Sequence, residues 1–170
     1  PAVLVEKAKA STGLVGRDLA TEVTTDQPYT WPAEPTKEAL YNIAVIDCGI
    51  KLNQLRIFES LGCHCTVFPN TTSSADILST EPDGIFISNG PGDPAGAPQV
   101  TQLVQELIAS KRPLFGICFG HQMLSMALGA KSFKLKFGHR GGNQPIQDLR
   151  NQKVEIASHN HGFCIDADSV

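Results

Sequence analysis

The sequence predicts an α/β fold, a doubly wound and mostly parallel sheet with helices on both faces. Short apolar runs alternate along the chain with segments of helical periodicity, and this β-α-β-α order is typical of parallel sheets. The runs at residues 43–46 and 85–87 are apolar throughout instead of alternating with polar residues. Such runs indicate strands that are covered on both faces.

The elements are predicted in order from the tyrosine at position 41 onward. Apolar runs predict strands over residues 42–47, 64–68, 84–88 and 113–117. Helical periodicity predicts helices over residues 52–61, 74–79, 98–110 and 119–128, of which the second has the weakest pattern. In an open parallel sheet, functional side chains collect in the loops at the carboxyl ends of the strands.

The first forty residues have a different character. Residues 1–10 predict a short amphipathic helix rather than a signal peptide, because charged residues interrupt the apolar run: Glu6, Lys7 and Lys9. Residues 11–37 are rich in Gly, Pro and Thr and are interrupted by helix-breaking prolines: Pro28, Pro32 and Pro35. We therefore interpret this stretch as a linker and divide the chain into residues 1–40 and a main domain over residues 41–170.

Composition and charge narrow the class of protein. Of 170 residues, 41% are hydrophobic and 18% are charged, and no apolar run approaches the ~20 residues that a membrane span requires. The net charge is -3 without a basic cluster, so we expect neither a membrane nor a nucleic-acid partner. Five cysteines, an odd number, favour a reducing compartment, and the protein is predicted to be cytoplasmic or organellar.

The Cys63-His64-Cys65 triplet is a possible metal motif. In a strand, however, both cysteines point to one face and the histidine to the other. This alternation favours a buried, apolar role for both cysteines, and no metal site is predicted.

Gly116-Ile117-Cys118-Phe119-Gly120 has the form of a nucleophile elbow, a sharp turn between a strand and a helix that exposes its central side chain. The helix beginning at Phe119 directs free N–H groups and its positive dipole end at the sulfur, which favours the thiolate. The alternative is that Cys118 is one more small buried residue before a helix.

A thiolate that attacks a carbonyl needs hydrogen-bond donors for the oxyanion. The Phe119 backbone N–H is one candidate, and Gly90 and Gly92, at the end of the adjacent predicted strand, suggest another. Their missing side chains would let a substrate approach the main chain closely. The alternative is a simple turn imposed by Pro91 and Pro94.

Three stretches resemble the class I glutamine amidotransferases: residues 88–94, 115–122 and 160–163. Within that family, residues 136–145 resemble a signature of the glutaminase subunits of carbamoyl-phosphate synthetases. Residues 13–19 and 22–25 are similar to the end of the N-terminal domain of those subunits. The resemblance therefore extends over nearly the whole chain.

The resemblance implies that Cys118 takes the acyl group of the glutamine side chain as a thioester and releases ammonia. It implies glutamine contacts from seven further residues: Gly90, Gly92, Phe119, Gln122, Asn160, Gly162 and Phe163. The family usually has Leu at the position of Phe119, which matters little where the backbone N–H acts. No cofactor is implied for this chain. ATP and bicarbonate are expected on a synthetase partner, either a large subunit or a fused synthetase domain.

The family's general base, a His, and the Glu that orients it lie in a Gly-His-Pro-Glu segment that we expect beyond Val170, so we expect the chain to be part of a longer one. Within this sequence, His159 and His161 are the better alternative bases. His121 is predicted to pack against the sheet. His64 and His139 are interpreted as surface or supporting residues.

The sequence as a whole predicts a glutaminase that supplies ammonia to a synthetase. Two alternatives remain, another cysteine hydrolase on a similar sheet and a non-catalytic module that docks on the synthetase. The signature at residues 136–145 argues against the first, and the retention of Cys118 with both elbow glycines argues against the second.

Overall fold

The computed structural model describes residues 2–34 and 38–169, and within them it contains six α-helices and seven β-strands. The helices are α1 (Ala2–Lys9), α2 (Ala20–Val23), α3 (Leu52–Ser60), α4 (Ser74–Ser79), α5 (Pro98–Ala109) and α6 (Phe119–Ala127). The strands are β1 (Tyr29–Trp31), β2 (Tyr41–Asp47), β3 (Cys63–Pro69), β4 (Gly84–Ile87), β5 (Leu114–Gly116), β6 (Lys131–Asp148) and β7 (Lys153–Asp166). Every element predicted between residues 42 and 128 is present, and its ends differ from the prediction by at most one residue.

The main sheet of the described chain has the strand order β1-β3-β2-β4-β5. Strands β3, β2, β4 and β5 run parallel, and only β1 pairs antiparallel, with β3. The predicted doubly wound, mostly parallel sheet is thus confirmed. This order places the carboxyl ends of β4 and β5 side by side.

Both faces of the sheet are covered, as the apolar runs predicted. On one face, Ile46 and Ile87 pack with Val104 of α5 and Met123 of α6. On the other face, Val45 and Phe86 pack with Leu55 of α3. Burying one such side chain fully contributes about 1.5–3 kcal/mol, so the two apolar layers fix the helices firmly against the sheet.

The interpretation of residues 11–37 as a linker is wrong in part. Helix α2 and strand β1 lie within them, β1 extends the main sheet, and Ala20 is fully buried. The prolines allow this because β1 is a short edge strand that ends directly before Pro32. The division of the chain after residue 40 stays a prediction, although the sheet takes one strand from the first part. Pro1, Pro35 and Val170 lie outside the described residues.

The predicted N-terminal helix is present as α1, and none of its residues is buried. No helix in the described part of the chain has both the length and the apolar character needed to span a membrane.

Strands β6 and β7 form a separate two-stranded antiparallel sheet that follows α6. The pairing shifts register twice, between Lys134 and His139 and again between Gly141 and Gln144. Such irregularities bend a strand and redirect its side chains. The hairpin brings residues 159–163 back to the elbow, where Gln122 of α6 contacts Phe163 of β7.

Candidate active site

Cys118 lies at the turn between β5 and α6 with φ 54° and ψ -106°. A positive φ is uncommon for a residue with a side chain, and such strained conformations concentrate at functional sites. The thiol is half-buried. The sharp strand-to-helix turn that the sequence predicted is present.

The glycines on either side of the elbow are required by close backbone approaches. A Cβ on Gly116 would lie 2.4 Å from the carbonyl carbon of Gly120. A Cβ on Gly120 would lie 2.1 Å from the carbonyl oxygen of Ile87. Neither distance is compatible with a side chain, so Gly120 allows α6 to begin directly against the end of β4.

Burial is the largest influence on the Cys118 thiol, and it raises the pKa above the ordinary thiol value. The neighbouring N–H of Phe119 and the positive charge of Lys51 act in the opposite direction and lower the pKa. Their combined effect is smaller than that of burial. The Phe119 N–H at the helix N-terminus does favour the thiolate, as expected, but burial outweighs it and the net pKa is raised.

We predict that alkylation of Cys118 accelerates with pH up to and beyond the ordinary thiol pKa. The thiolate is the nucleophile, and below a raised pKa its fraction grows about tenfold per pH unit. Labelling at several pH values, mapped by mass spectrometry, measures this dependence. Lys51→Met is expected to slow labelling of Cys118 at neutral pH, because it removes a charge that lowers the pKa.

The other cysteines are internal standards for this measurement. Burial raises the pKa of Cys48 and of Cys65 to about 12, and both are buried, so they should label far more slowly than Cys118. Cys164 is half-buried like Cys118, and its labelling should not respond to Lys51→Met. A Cys118 labelling rate that levels off near neutral pH would contradict the raised pKa.

The loop at residues 88–93, called the glycine loop below, follows β4 and lies beside the elbow. A Cβ on Gly90 would lie 2.3 Å from the carbonyl oxygen of Cys48, and one on Gly92, where φ is +94°, would lie 2.8 Å from the carbonyl oxygen of Arg17. The missing side chains therefore make room for the protein's own backbone. The close approach of a substrate to this main chain stays a prediction. The N–H groups of Gly90 and Gly92 donate no hydrogen bond to another described residue.

Asp93 attaches residues 13–19, called the N-terminal segment below, to this loop. Its carboxylate accepts hydrogen bonds from the N–H of Gly16 at 2.8 Å and of Ala95 at 2.9 Å. Its own N–H donates to the carbonyl of Arg17 at 3.1 Å. These contacts place Leu14 and Leu19 in the wall of the cavity beside Cys118. Sequence reasoning missed both residues, although they belong to the stretch 13–19 that is similar to the family.

A cavity of about 170 Å³ lies beside Cys118, between the glycine loop, the N-terminal segment and β7. Its lining includes seven residues predicted for the site: Gly90, Gly92, Cys118, Gln122, Asn160, Gly162 and Phe163. The eighth, Phe119, has a buried side chain and reaches the site only through its N–H. Arg140 also lines this cavity and was not predicted. The fold thus gathers residues that are far apart in the sequence.

Gln122 holds the helix of the elbow against the hairpin. Its side chain is buried, and its Nε2 donates a hydrogen bond to the Phe163 carbonyl at 2.7 Å. The same carbonyl accepts a hydrogen bond from His161 Nδ1 at 2.7 Å. The Gln122 amide is therefore engaged in a structural contact at the edge of the cavity.

A second cavity of about 650 Å³ also reaches Cys118, and its lining contains three histidines: His121, His159 and His161. His121 is exposed, so the prediction that it packs against the sheet is wrong. It lies on the outward side of α6, whereas Gln122 and Met123 face inward. Among the described residues, no hydrogen bond joins the Cys118 thiol to a histidine.

The two remaining histidines, His64 and His139, line neither of the two cavities beside Cys118. His64 is half-buried between the buried residues Cys63 and Cys65, which is the alternation predicted for that strand. His139 is exposed on β6, and its ring contacts His161 of β7. Sequence reasoning did not bring these two strands together.

A strained cysteine between a parallel strand and a helix, with a cavity at its side, defines a protein of the nucleophile-elbow type. The family model "Glutamine amidotransferase class-I" matches residues 44–170, and the chain belongs to that family. Among similar proteins, the carbamoyl phosphate synthase small chain of Syntrophotalea carbinolica is 46% identical over 180 residues, covering 100% of this chain and 48% of the relative. The protein of the same name from Caulobacter vibrioides is 49% identical over 179 residues, covering 99% of this chain and 46% of the relative.

This chain therefore spans about half the length of these relatives. Two solved structures share its fold. One, a GMP synthase protein from Thermoplasma acidophilum by its description, has a TM-score of 0.65 at 23% identity and covers 77% of this chain and 69% of its own. The other, a glutamine amidotransferase from Thermotoga maritima, has a TM-score of 0.55 at 19% identity and covers 76% of this chain and 63% of its own.

Proposed function

We propose that this chain carries the glutamine-hydrolysing site of a carbamoyl-phosphate synthetase, with Cys118 as the nucleophile. The observation that carries the proposal is the strained elbow, which presents the Cys118 thiol to a cavity lined by the glycine loop and by residues 160–163. Membership of the family supports the same chemistry. The Cys118 sulfur attacks the side-chain amide carbon of glutamine, ammonia leaves, and water then hydrolyses the γ-glutamyl thioester to glutamate.

Backbone N–H groups stabilise the oxyanion in this proposal. The Phe119 N–H lies next to the nucleophile, and the Gly90 and Gly92 N–H groups have no described hydrogen-bond partner to compete for them. Donors fixed by the main chain need no reorganisation as negative charge develops on the oxygen. The packing of both glycines against backbone holds these donors in place.

The walls of the smaller cavity supply the remaining glutamine contacts. We assign them to Gln122, Asn160, Gly162 and Phe163, of which Gln122 acts mainly by positioning Phe163. Arg140 adds a positive charge to this lining, which suits the α-carboxylate of an amino-acid substrate.

The released ammonia passes to a synthetase partner. The relatives carry the name "small chain", which supports a larger partner. We assign the binding of ATP and bicarbonate to that partner. The carbamoyl phosphate then serves arginine or pyrimidine synthesis. All five cysteines are free thiols, which supports a cytoplasmic, reducing environment.

A glutamine analogue with an electrophilic carbon in place of the side-chain amide tests the site directly. We expect it to alkylate Cys118 selectively, because Cys118 is the one cysteine among the described residues that lines the smaller cavity. Glutamine should protect Cys118 from the reagent, and asparagine, one methylene shorter, should protect it far less. Peptide mapping by mass spectrometry gives the labelled residue.

Cys164 is the matched control, since it is half-buried and lines the larger cavity together with Cys118. Equal labelling of Cys164, or no protection by glutamine, would overturn the assignment of Cys118 as the glutamine-binding nucleophile.

A further inference from the structure

We propose that His139, His159 and His161 form a Zn²⁺ site on the β6–β7 hairpin. The three imidazoles each offer one ring nitrogen, and these nitrogens all lie within 4.8 Å of one another. The site adjoins the one proposed for glutamine, because His161 lines both cavities beside Cys118 and His159 lines the larger one. Nothing in the family membership or in the names of the relatives points to it.

The hairpin register assembles the cluster. His159 and His161 are two residues apart on β7, so their side chains lie on one face of the strand. His139 of β6 is directly opposite His161 in the pairing. Gly141 is opposite His159, so the pairing brings no fourth side chain of β6 against the cluster at this position.

The cluster lies between the two register shifts of the hairpin. Gly138, with φ +76°, precedes His139, and a Cβ there would lie 2.5 Å from the His161 carbonyl oxygen. The backbones of β6 and β7 therefore approach closely beside the rings, where only a glycine fits. Such irregularities redirect side chains, and here the ring nitrogens of the three histidines lie close together.

The nitrogen spacings match those around a tetrahedral ion. His139 Nδ1 and His159 Nδ1 lie 3.2 Å and 3.3 Å from His161 Nε2. Zn–N bonds of about 2.0–2.1 Å at tetrahedral angles separate the ligand nitrogens by about 3.3 Å. His139 is exposed, so its ring can rotate to bring the third pair, His139 and His159, to the same spacing.

The hydrogen bond to Phe163 selects, for a neutral His161, the tautomer that a zinc ligand needs. The Phe163 carbonyl can only accept a hydrogen bond, so His161 Nδ1 must carry the proton that it donates at 2.7 Å. The lone pair of a neutral His161 then lies on Nε2, the nitrogen that faces the other two rings. Zinc-binding histidines commonly donate their second ring N–H to a backbone carbonyl, which fixes both tautomer and orientation. Gln122 holds the same carbonyl from the other side.

The donor set selects the kind of ion. Three neutral imidazoles suit Zn²⁺, whereas Mg²⁺ and Ca²⁺ require oxygen ligands. Lys134 and Arg140 bring positive charge close to Gly162 and oppose any cation there, so the binding energy must come from the bonds to the three imidazoles. A set of three histidines leaves a fourth position for water, as in known zinc centres with an open site.

Titration of the purified, reduced protein with Zn²⁺ against a chromophoric chelator measures the affinity and stoichiometry. We expect one ion per chain. His139→Ala and His159→Ala are each expected to weaken binding by more than the roughly 10–100-fold that loss of a merely orienting partner costs. His139 is exposed, so its replacement should leave the fold unchanged, as circular dichroism would show.

Two variants control for other zinc ligands in the larger cavity. His121→Ala removes an exposed histidine that lines this cavity outside the cluster, and Cys118→Ser removes its reactive thiol. Neither should change the affinity. Cobalt substitution should give the d–d absorption of a tetrahedral site without a thiolate charge-transfer band. Equal affinity in the wild type and the two cluster variants, or loss of binding in Cys118→Ser, would overturn the proposal.

Discussion

Replacing Cys118 with alanine is expected to abolish glutamine-dependent carbamoyl phosphate synthesis while synthesis from added ammonia continues. The thiol is needed only to release nitrogen from glutamine, and ammonia from solution enters after that step. Removal of an enzyme's nucleophile lowers turnover by on the order of 10⁴–10⁶-fold. The expected result is therefore a selective loss in the protein assembled with its synthetase partner, with both nitrogen sources assayed side by side.

Cys164→Ala is the matched control for this experiment. Cys164 is half-buried and lines the larger cavity with Cys118, but it lies on β7 in ordinary strand conformation and outside the elbow. Its replacement should leave both activities in place. If Cys118→Ala removed both activities in a folded protein, Cys118 would be a structural residue. If it removed neither, the non-catalytic docking module would be the better explanation.

The part of the fold between residues 42 and 128 could be predicted because its signals are local. Continuous apolar runs indicate strands with two covered faces, and helical periodicity between them favours a parallel sheet. Strand β1 was not predicted, because a three-residue edge strand has almost no hydrophobic pattern and the nearby prolines suggested irregular structure. The β6–β7 hairpin was not predicted, because most of both strands is exposed and neither has a buried apolar face.

Some residues of the candidate site could likewise be predicted from local sequence, and others could not. Cys118 and its two glycines could be predicted because one turn contains them all. Leu14, Leu19 and Arg140 could not, because their proximity to Cys118 depends on contacts such as the one between Asp93 and Gly16. The direction of the Cys118 pKa shift could not be predicted either, since it depends on how far burial outweighs the favourable dipole and charge. The histidine cluster depends on strand register, which is weakly specified where neither face of a strand is buried.

Gly120→Ala is expected to be among the most damaging single substitutions in this chain, although it adds only one methyl group. Its Cβ would lie 2.1 Å from the Ile87 carbonyl oxygen and 2.9 Å from that of Ser88. Both atoms belong to the main chain at the end of β4, and the same Ile87 carbonyl accepts the Ile117 N–H at 3.2 Å. Helix α6 must therefore move away from β4, and this movement strains the turn at Ile117 that the hydrogen bond holds. We expect a loss of about 3 kcal/mol or more in the free energy of unfolding, at the upper end of overpacking effects.

The displaced helix should also disable the site, because Cys118 and the Phe119 N–H move with it, and a shift of 1 Å can cost about 100-fold in rate. Denaturant unfolding and labelling of Cys118 by the glutamine analogue measure the two effects separately. Gly84→Ala is the matched control, since Gly84 is buried in β4 but a Cβ there has only ordinary contacts, 3.6 Å from Ile43 Cδ1 and from the Pro113 carbonyl oxygen. This control should stay within about 1 kcal/mol of the wild type and keep its labelling. A Gly120→Ala protein as stable and as readily labelled as Gly84→Ala would show that the tight approach of α6 to β4 does not hold the nucleophile in place.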